Sequence, residues 1–230
     1  MNEHAVVIAG GGPTGLTLAG ELALAGVDVA IVERRTSRDL VGSRAGGLHA
    51  RTIEVLDQRG IAERFVAHGQ VHKAVGFGRI TLDISDFPSR HNCVLGLRQN
   101  HIERILAGWV AELNVPIYRG RDVTGFAQDD TGVDVEVSDG MSMRAEYLVG
   151  CDGGRSVVRK AADIEFRGSD PTMSWLIAEV HTTEEPVWGF RDDATGTHAI
   201  GKLEHAGAMG AVLTEPQLKT AGEPTLSEVS

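Results

Sequence analysis

The amino-acid sequence predicts an α/β fold with an attached β-rich layer. A strand–helix–strand unit of the kind that builds parallel sheets spans residues 5–33. Strand-like segments dominate residues 115–149, where a turn signal at residues 129–132 predicts a hairpin, and they return after residue 166. Parallel units combined with antiparallel hairpins are typical of an α/β domain that carries an additional sheet.

Composition limits the class of protein. The chain has 230 residues, which favours one or two domains. Its 32 acidic residues against 22 basic ones give a net charge of −10, which argues against binding to nucleic acid. We find no apolar stretch near the roughly 18 residues of a membrane span and no secretion leader, so we expect a cytoplasmic protein. Two cysteines without a Cys/His cluster predict neither a metal site nor a disulfide framework.

The first unit is built around a wholly apolar strand at residues 5–9, as in a central parallel strand covered on both faces. A helix is predicted from Pro13 to about Ala25, because proline suits the first helical turn and Gly26 follows as a stop. The second strand covers residues 27–32 and leads into Glu33.

The remaining elements follow from local periodicity and turn residues. Residues 34–47 are predicted to be a polar loop, and residues 71–97 to be interrupted strands. The amphipathic helix at 99–113 has the clearest pattern, with apolar residues at steps of three and one. Further helices are predicted at 49–59, 62–67 and 156–162, and further strands at 115–118, 123–128, 133–137, 143–149, 175–182, 198–203 and 208–213.

A glycine cluster between the first strand and helix carries the first functional signal. Residues 10–15 satisfy G-x-G-x-x-G: Gly10 allows the tight turn, Gly12 allows a pyrophosphate to approach the backbone, and Gly15 allows helix and strand to pack closely. The helix N-terminus offers N–H groups to phosphates. Glu33, at the end of the next strand, can accept hydrogen bonds from a ribose. The pattern predicts a dinucleotide site for FAD or NAD rather than NADP.

Three segments resemble the FAD-dependent aromatic hydroxylases, the flavoprotein monooxygenases of the p-hydroxybenzoate hydroxylase type. They are the glycine segment at 6–16 with Val32-Glu33-Arg34, the segment from Ser43-Arg44-Ala45 to Gly60, and the "DG" segment at 147–159 around Asp152-Gly-Gly. Within the family they are most similar to actinobacterial hydroxylases of antibiotics and polyketides, such as rifampicin monooxygenase and the angucycline and tetracycline hydroxylases.

The resemblance implies a fold and a division into domains. It implies a Rossmann-like (GR2-type) FAD-binding domain at residues 1–70 and 98–165, with an incomplete β-rich substrate layer at 71–97 and 166–215 and a polar tail at 216–230. The family's second motif, Gly-Asp, has no counterpart in this sequence. We therefore expect the N-terminal part of a hydroxylase, which could be a fragment, a truncated product or half of a split enzyme. The isolated chain is therefore expected to bind FAD weakly or not at all.

The resemblance also implies residues that hold the cofactor. Thr14 would reach the pyrophosphate, Glu33 the ribose and Arg34 the adenosine side, while Asp152 would complete the site from the second glycine turn. The full cofactor-binding set implied is Gly10, Gly12, Pro13, Thr14, Gly15, Glu33, Arg34, Arg44, Gln99, Val123 and Asp152.

The activity implied is hydroxylation of an aromatic or polyketide-type small molecule. In the family, NAD(P)H reduces FAD, and a flavin C4a-hydroperoxide then transfers oxygen to the substrate. The cofactor carries this chemistry, so no catalytic side chain is predicted. Three alternatives stay open: an NAD-dependent dehydrogenase, a nucleotide-binding module without turnover, and a flavin-dependent reductase or epoxidase. The partner is expected to be a small molecule, and either a homo-oligomer or a complementing C-terminal chain is open.

Overall fold

The computed structural model describes residues 2–37, 46–77, 80–181, 184–194, 196–202 and 209–215. The chain divides into two compact units, residues 1–165 and 166–230. Unit one contains β1 (Asn2–Ala9), α1 (Pro13–Leu24), β2 (Val29–Glu33), β3 (Gly47–Leu48), α2 (Ala50–Gln58), α3 (Ala62–Val66), β4 (Gln70–His72), β5 (Ala74–Phe77), β6 (Ile80–Asp83), β7 (Val94–Gly96), α4 (Gln99–Glu112), β8 (Ile117–Arg119), β9 (Val123–Asp129), β10 (Gly132–Val137), β11 (Ser142–Gly150) and α5 (Val157–Ala161). Unit two contains β12 (Ser174–Val180), β13 (Gly189–Asp193), β14 (Gly196–Lys202) and β15 (Met209–Glu215).

The main sheet of unit one has the strand order β8-β2-β1-β11-β10-β9. The first four strands in this order run parallel, and β10 and β9 add an antiparallel hairpin. Strand β1 lies between β2 and β11, with Val6 opposite both Val29 and Tyr147. The prediction that the first strand is a central parallel strand is confirmed.

The centre of this sheet, at residues 6–9 of β1, is buried on both faces. Val6 and Ile8 of β1 belong to one apolar cluster together with Leu16 of α1 and Val110 of α4. The alternate β1 residues, such as Val7, belong to a second cluster with apolar side chains of β9, β10 and β11. Because successive side chains of a strand point to opposite faces, β1 contributes apolar side chains to both clusters.

A small second sheet has the strand order β3-β7-β4, and its middle strand β7 directly precedes α4 in the chain. Leu95 of β7 is fully buried, whereas β4 and the β5–β6 hairpin are largely exposed. The interrupted strand pattern predicted for residues 71–97 is confirmed as these short strands.

Unit two is an antiparallel sheet in the order β12-β15-β14-β13. One face buries Leu176, Met209 and Ala211. On the other face, the register places Ile177, Val212, Ala199 and Phe190 in one row across all four strands. The two ends of this row are 64% and 81% exposed. We call these four residues the apolar row.

The predicted helices are all present, with ends shifted by at most one residue. The strand predicted at 115–118 is displaced to Ile117–Arg119, because Pro116 has no N–H to donate to a sheet. Strand β13 was not predicted. Among the described residues, no helix is long and apolar enough to cross a membrane.

Candidate cofactor-binding site

The site lies where three parallel strands end together. The N–H of Gly10 donates to Val32 O at 2.8 Å, and the N–H of Cys151 donates to Ala9 O at 2.8 Å. These bonds join the glycine loop after β1 to the ends of β2 and β11. In open α/β sheets, ligands bind outside the carboxyl ends of the strands, and this edge of the sheet is such a place.

The three motif glycines have different reasons to be glycine. Gly10 has φ +103°, and a Cβ there would lie 2.4 Å from the carbonyl oxygen of Cys151. A Cβ on Gly15 would lie 2.0 Å from the carbonyl oxygen of Gly10. At Gly12, a Cβ would meet nothing within 4 Å. The fold itself therefore requires glycine at positions 10 and 15, while the space beside Gly12 is open for a ligand.

Helix α1 begins at this open space. Gly12 is its N-cap, no side chain caps it, Pro13 is its first residue and the first turn holds no acidic residue. The first N–H groups of a helix have no acceptor within it, and the helix dipole favours an anion there. Thr14 is exposed in this first turn. The arrangement fits a diphosphate.

Glu33 is a buried carboxylate at the end of β2, with 5% of its surface exposed. Its Oε2 accepts the N–H of Gly11 at 2.6 Å, and its Oε1 accepts both the N–H and the Nε–H of Arg35 at 2.9 Å. Burial raises the pKa of Glu33, but the hydrogen bonds from Arg35 and Gly11 outweigh it and the net pKa is lowered. The side chain is thus an ionised acceptor at neutral pH.

The structure brings Arg35 into the site and leaves Arg34 exposed. Arg35 Nη1 donates to Glu103 Oε2 at 2.8 Å, and Nη2 donates to Gly11 O at 3.2 Å. Sequence reasoning missed Arg35 and Glu103. One signal was present: Glu103 falls among the apolar positions of α4, and a buried carboxylate needs a cation.

Gln99 lies in the first turn of α4, where its Nε2 donates to Glu103 Oε1 at 2.9 Å. It therefore joins the same network as Glu33 and Arg35. Val123, at the start of β9, is buried in the second apolar cluster of unit one. Arg44 lies outside the described residues, so its predicted contact stays a prediction.

Asp152 follows β11 and approaches the glycine loop: a Cβ on Gly10 would lie 3.1 Å from its Cα. Its Oδ2 accepts the N–H groups of Val157 and Val158 at 2.6 and 3.2 Å, which caps α5. Its Oδ1 is buried and has no hydrogen-bond partner in the described part of the chain. Burial, with the Asp152 charge beside it, raises the pKa of Cys151 and so favours the neutral thiol. An orphaned acceptor here fits a ligand hydroxyl.

These features fit a class of protein: the α/β proteins that bind a dinucleotide at the carboxyl ends of their strands. The model of the family described as the FAD binding domain matches residues 3–220, and the chain belongs to that family. FAD as the cofactor of the family agrees with the open space at Gly12 and the acceptors of Glu33 and Asp152. Among the described residues there is no group of three metal-binding side chains.

Known relatives confirm the resemblance to flavin monooxygenases. The chain is 44% identical over 180 residues to the rifampicin monooxygenase of Streptomyces venezuelae, covering 77% of this chain and 38% of that protein. The structure of OxyS anhydrotetracycline hydroxylase from Streptomyces rimosus superposes with a TM-score of 0.85 at 40% identity, covering 93% of this chain and 45% of that one.

The structure of the Diels-Alderase PyrE3, from the biosynthetic pathway of pyrroindomycins, superposes with a TM-score of 0.91 at 31% identity. It covers 100% of this chain and 50% of that one. The fold is therefore that of the flavin monooxygenases and their structural relatives. The chain spans half or less of the length of each of these three proteins.

Proposed function

We propose that residues 1–70 and 98–165 of unit one form a Rossmann-like (GR2-type) FAD-binding domain of an FAD-dependent monooxygenase, which uses NAD(P)H and O₂ to hydroxylate an aromatic or polyketide-type small molecule. The observation that carries the proposal is the convergence at one sheet edge of the open space at Gly12, the N-terminus of α1 and the ionised carboxylate of Glu33. The 44% identity to a rifampicin monooxygenase supports the reaction class.

Each group in the site has a defined task. The backbone at Gly12 and the first turn of α1, with Thr14, bind the diphosphate. Glu33 accepts the ribose hydroxyls, and the free Oδ1 of Asp152 accepts a further hydroxyl of the cofactor. Gln99, Val123, Arg34 and Arg44 are proposed to complete the contacts. FAD supplies the redox chemistry and oxygen activation when bound, and the side chains position it.

The apolar row of unit two supports an aromatic substrate. Ile177 and Phe190 are more than half exposed although they are large and apolar, and such surfaces mark binding sites. We propose that residues 71–97 and 166–215 belong to the substrate layer of the whole protein. The tail proposed at 216–230 lies outside the described residues.

A second candidate function follows from PyrE3, which is described as a Diels-Alderase and superposes over the full chain. A protein of this fold can therefore act by cyclisation. In that case the protein of which this chain is part would bind FAD without consuming NAD(P)H. Dependence of turnover on NAD(P)H separates the two candidates.

The test is a titration of the chain with FAD. Binding is monitored by the quenching of flavin fluorescence and by the change in the visible absorption spectrum. We propose that the residues at Gly12, Glu33 and Asp152 suffice for weak binding by the chain alone, so the titration should saturate at one FAD per chain. Gly12→Ala should weaken binding at least about tenfold, because its methyl group enters the space beside the diphosphate. Gly108→Ala is the matched control, since its Cβ also meets nothing within 4 Å but lies on α4. An unperturbed flavin would overturn the FAD site.

A further inference from the structure

Glu103 is a buried carboxylate that lies far from the glycine motif in sequence. It is 5% exposed on α4, beside the apolar residues Ile102 and Leu106. Its two oxygens accept from Gln99 and from Arg35. Burying an ionised carboxylate costs several kcal/mol unless its partners compensate, so packing alone gives no reason for an acid here.

Glu103 determines how Arg35 meets Glu33. The guanidinium is a rigid planar fork that pairs with a carboxylate most strongly through two parallel bonds. Here the guanidinium reaches Glu33 through Nε alone, at 2.9 Å and on Oε1 only, while Glu103 holds Nη1 at 2.8 Å and so fixes the direction of the fork. Nη2, which would complete a parallel pair with Nε on Glu33, donates instead to the carbonyl oxygen of Gly11 at 3.2 Å.

This geometry leaves acceptor capacity on Glu33. A carboxylate oxygen can accept about two hydrogen bonds. Oε1 accepts two, from the N–H and the Nε–H of Arg35, whereas Oε2 accepts one, from the N–H of Gly11. Two carboxylates share one guanidinium, so the cluster has a formal charge of −1 and remains attractive to a hydroxyl donor.

We propose that Glu103 is a positioning residue that acts through Arg35 to keep Oε2 of Glu33 available for the ribose hydroxyls of FAD. The inference rests on the proposed FAD site and adds a residue to it. Without Glu103, the fork of Arg35 is free to turn onto both oxygens of Glu33 and to compete with the ribose. The bond from Gln99 to Glu103 places the start of α4 in the same network.

The experiment measures ribose recognition rather than affinity alone. The full chain is titrated with FAD and with an FAD analogue whose adenosine lacks the 2′- and 3′-hydroxyls. Hydrogen bonds to a charged group contribute about 1.5–3 kcal/mol, so the unaltered chain should prefer FAD by about tenfold or more. In Glu103→Gln the preference should fall to about two- or threefold, with affinity for the analogue almost unchanged.

Two further variants make the result decisive. Glu112→Gln is the control, because Glu112 lies on the same helix but pairs with Arg64 in an exposed position. It should keep the full preference. Arg35→Lys replaces the fork with a single point charge that cannot make two parallel bonds to Glu33, so this variant should keep the preference. Adding it to Glu103→Gln should restore the preference that Glu103→Gln alone loses, which provides a second measurement of the positioning role.

The outcomes separate this inference from the proposed function. An unchanged preference in Glu103→Gln, or equal loss of affinity for FAD and the analogue, would overturn the positioning role while leaving the FAD site intact. Failure of the unaltered chain to bind either compound would overturn the FAD site, and the positioning role with it.

Discussion

Trp109 on α4 occupies the space that any side chain at Gly20 of α1 would need. A Cβ on Gly20 would lie 2.1 Å from Cζ3 of the indole and 2.3 Å from Cη2. The ring is 4% exposed, so it has little room to move away. Gly20 thus allows α1 and α4 to pack closely, and these two helices carry the open N-terminus at Gly12 and the network around Glu103.

We expect Gly20→Ala to lower the free energy of unfolding of unit one by about 1–3 kcal/mol, because the methyl group overpacks the indole. Gly108→Ala, in open space on α4, should instead raise it by about 0.5–1 kcal/mol through helix propensity. Urea unfolding measures both. Both variants are made in a chain that also carries Trp175→Phe and Trp188→Phe. Trp109 is then the single tryptophan, and its fluorescence reports on unit one. Equal stability of the two glycine variants would contradict the packing argument.

The lowered pKa of Glu33 predicts a dependence of stability on pH. Its ordinary pKa is 4.5, and the value in the folded protein lies below this. The unfolded state therefore binds the proton more readily, and the contribution of Glu33 is complete above about pH 5.5 and is lost as pH falls through and below 4.5. The measurement is the difference in unfolding free energy between the unaltered chain and Glu33→Gln across this range. A difference that grows on acidification would refute the prediction.

The two oxygens of Asp152 predict two separable effects. Asp152→Ala and Ser156→Ala each remove a cap from α5, where Oγ of Ser156 accepts the N–H of Arg159 at 3.0 Å. Each substitution should lower the free energy of local opening of α5 by about 1 kcal/mol, which hydrogen exchange of the α5 amides measures. Asp152→Ala alone should also weaken FAD binding by about tenfold, since it removes Oδ1. Equal FAD affinity in the two variants would reduce Asp152 to a helix cap.

The two faces of the sheet in unit two should respond differently to truncation. Leu176 is 6% exposed and its neighbour Ile177 is 64% exposed. Leu176→Ala should lower the protection of β12–β15 amides against hydrogen exchange by about 2–4 kcal/mol. Ile177→Ala should change it by less than about 0.5 kcal/mol. Comparable losses would show that the apolar row is covered in solution.

Sequence reasoning was accurate where a residue's neighbours along the chain determine its structure. The helix predicted at 99–113 is α4 because its apolar spacing is strong, and the glycine loop follows because each glycine has a local reason. Strand β13 was missed because Gly189-Phe-Arg-Asp-Asp193 has no apolar alternation. It is an edge strand, and its hydrogen bonds to β14 stabilise the extended conformation that its own residue types do not favour.

The sequence predicts where the candidate site lies in the fold, but it does not predict the ion pairs that the structure shows there. Glu33 and Asp152 follow from motif spacing, yet Arg34 and Arg35 look equivalent in sequence. Arg35 rather than Arg34 joins the site because it pairs with Glu103. Glu103 comes close to Glu33 only when α4 packs against the sheet, which the sequence alone does not reveal. The capping of α5 by Asp152 Oδ2 likewise depends on a turn geometry that the residue types alone do not determine.

The position of β1 between β2 and β11 has a consequence for the order of assembly during synthesis. Residues 6–9 of β1 can pair with β2 early, but the other edge of β1 is completed only by residues 143–150. At about 5–20 residues per second, a ribosome takes on the order of ten seconds to deliver that partner. Until then an apolar strand edge stays unpaired, and the candidate cofactor site lacks Asp152. Chaperone protection of the nascent chain should therefore matter most before Gly150 emerges.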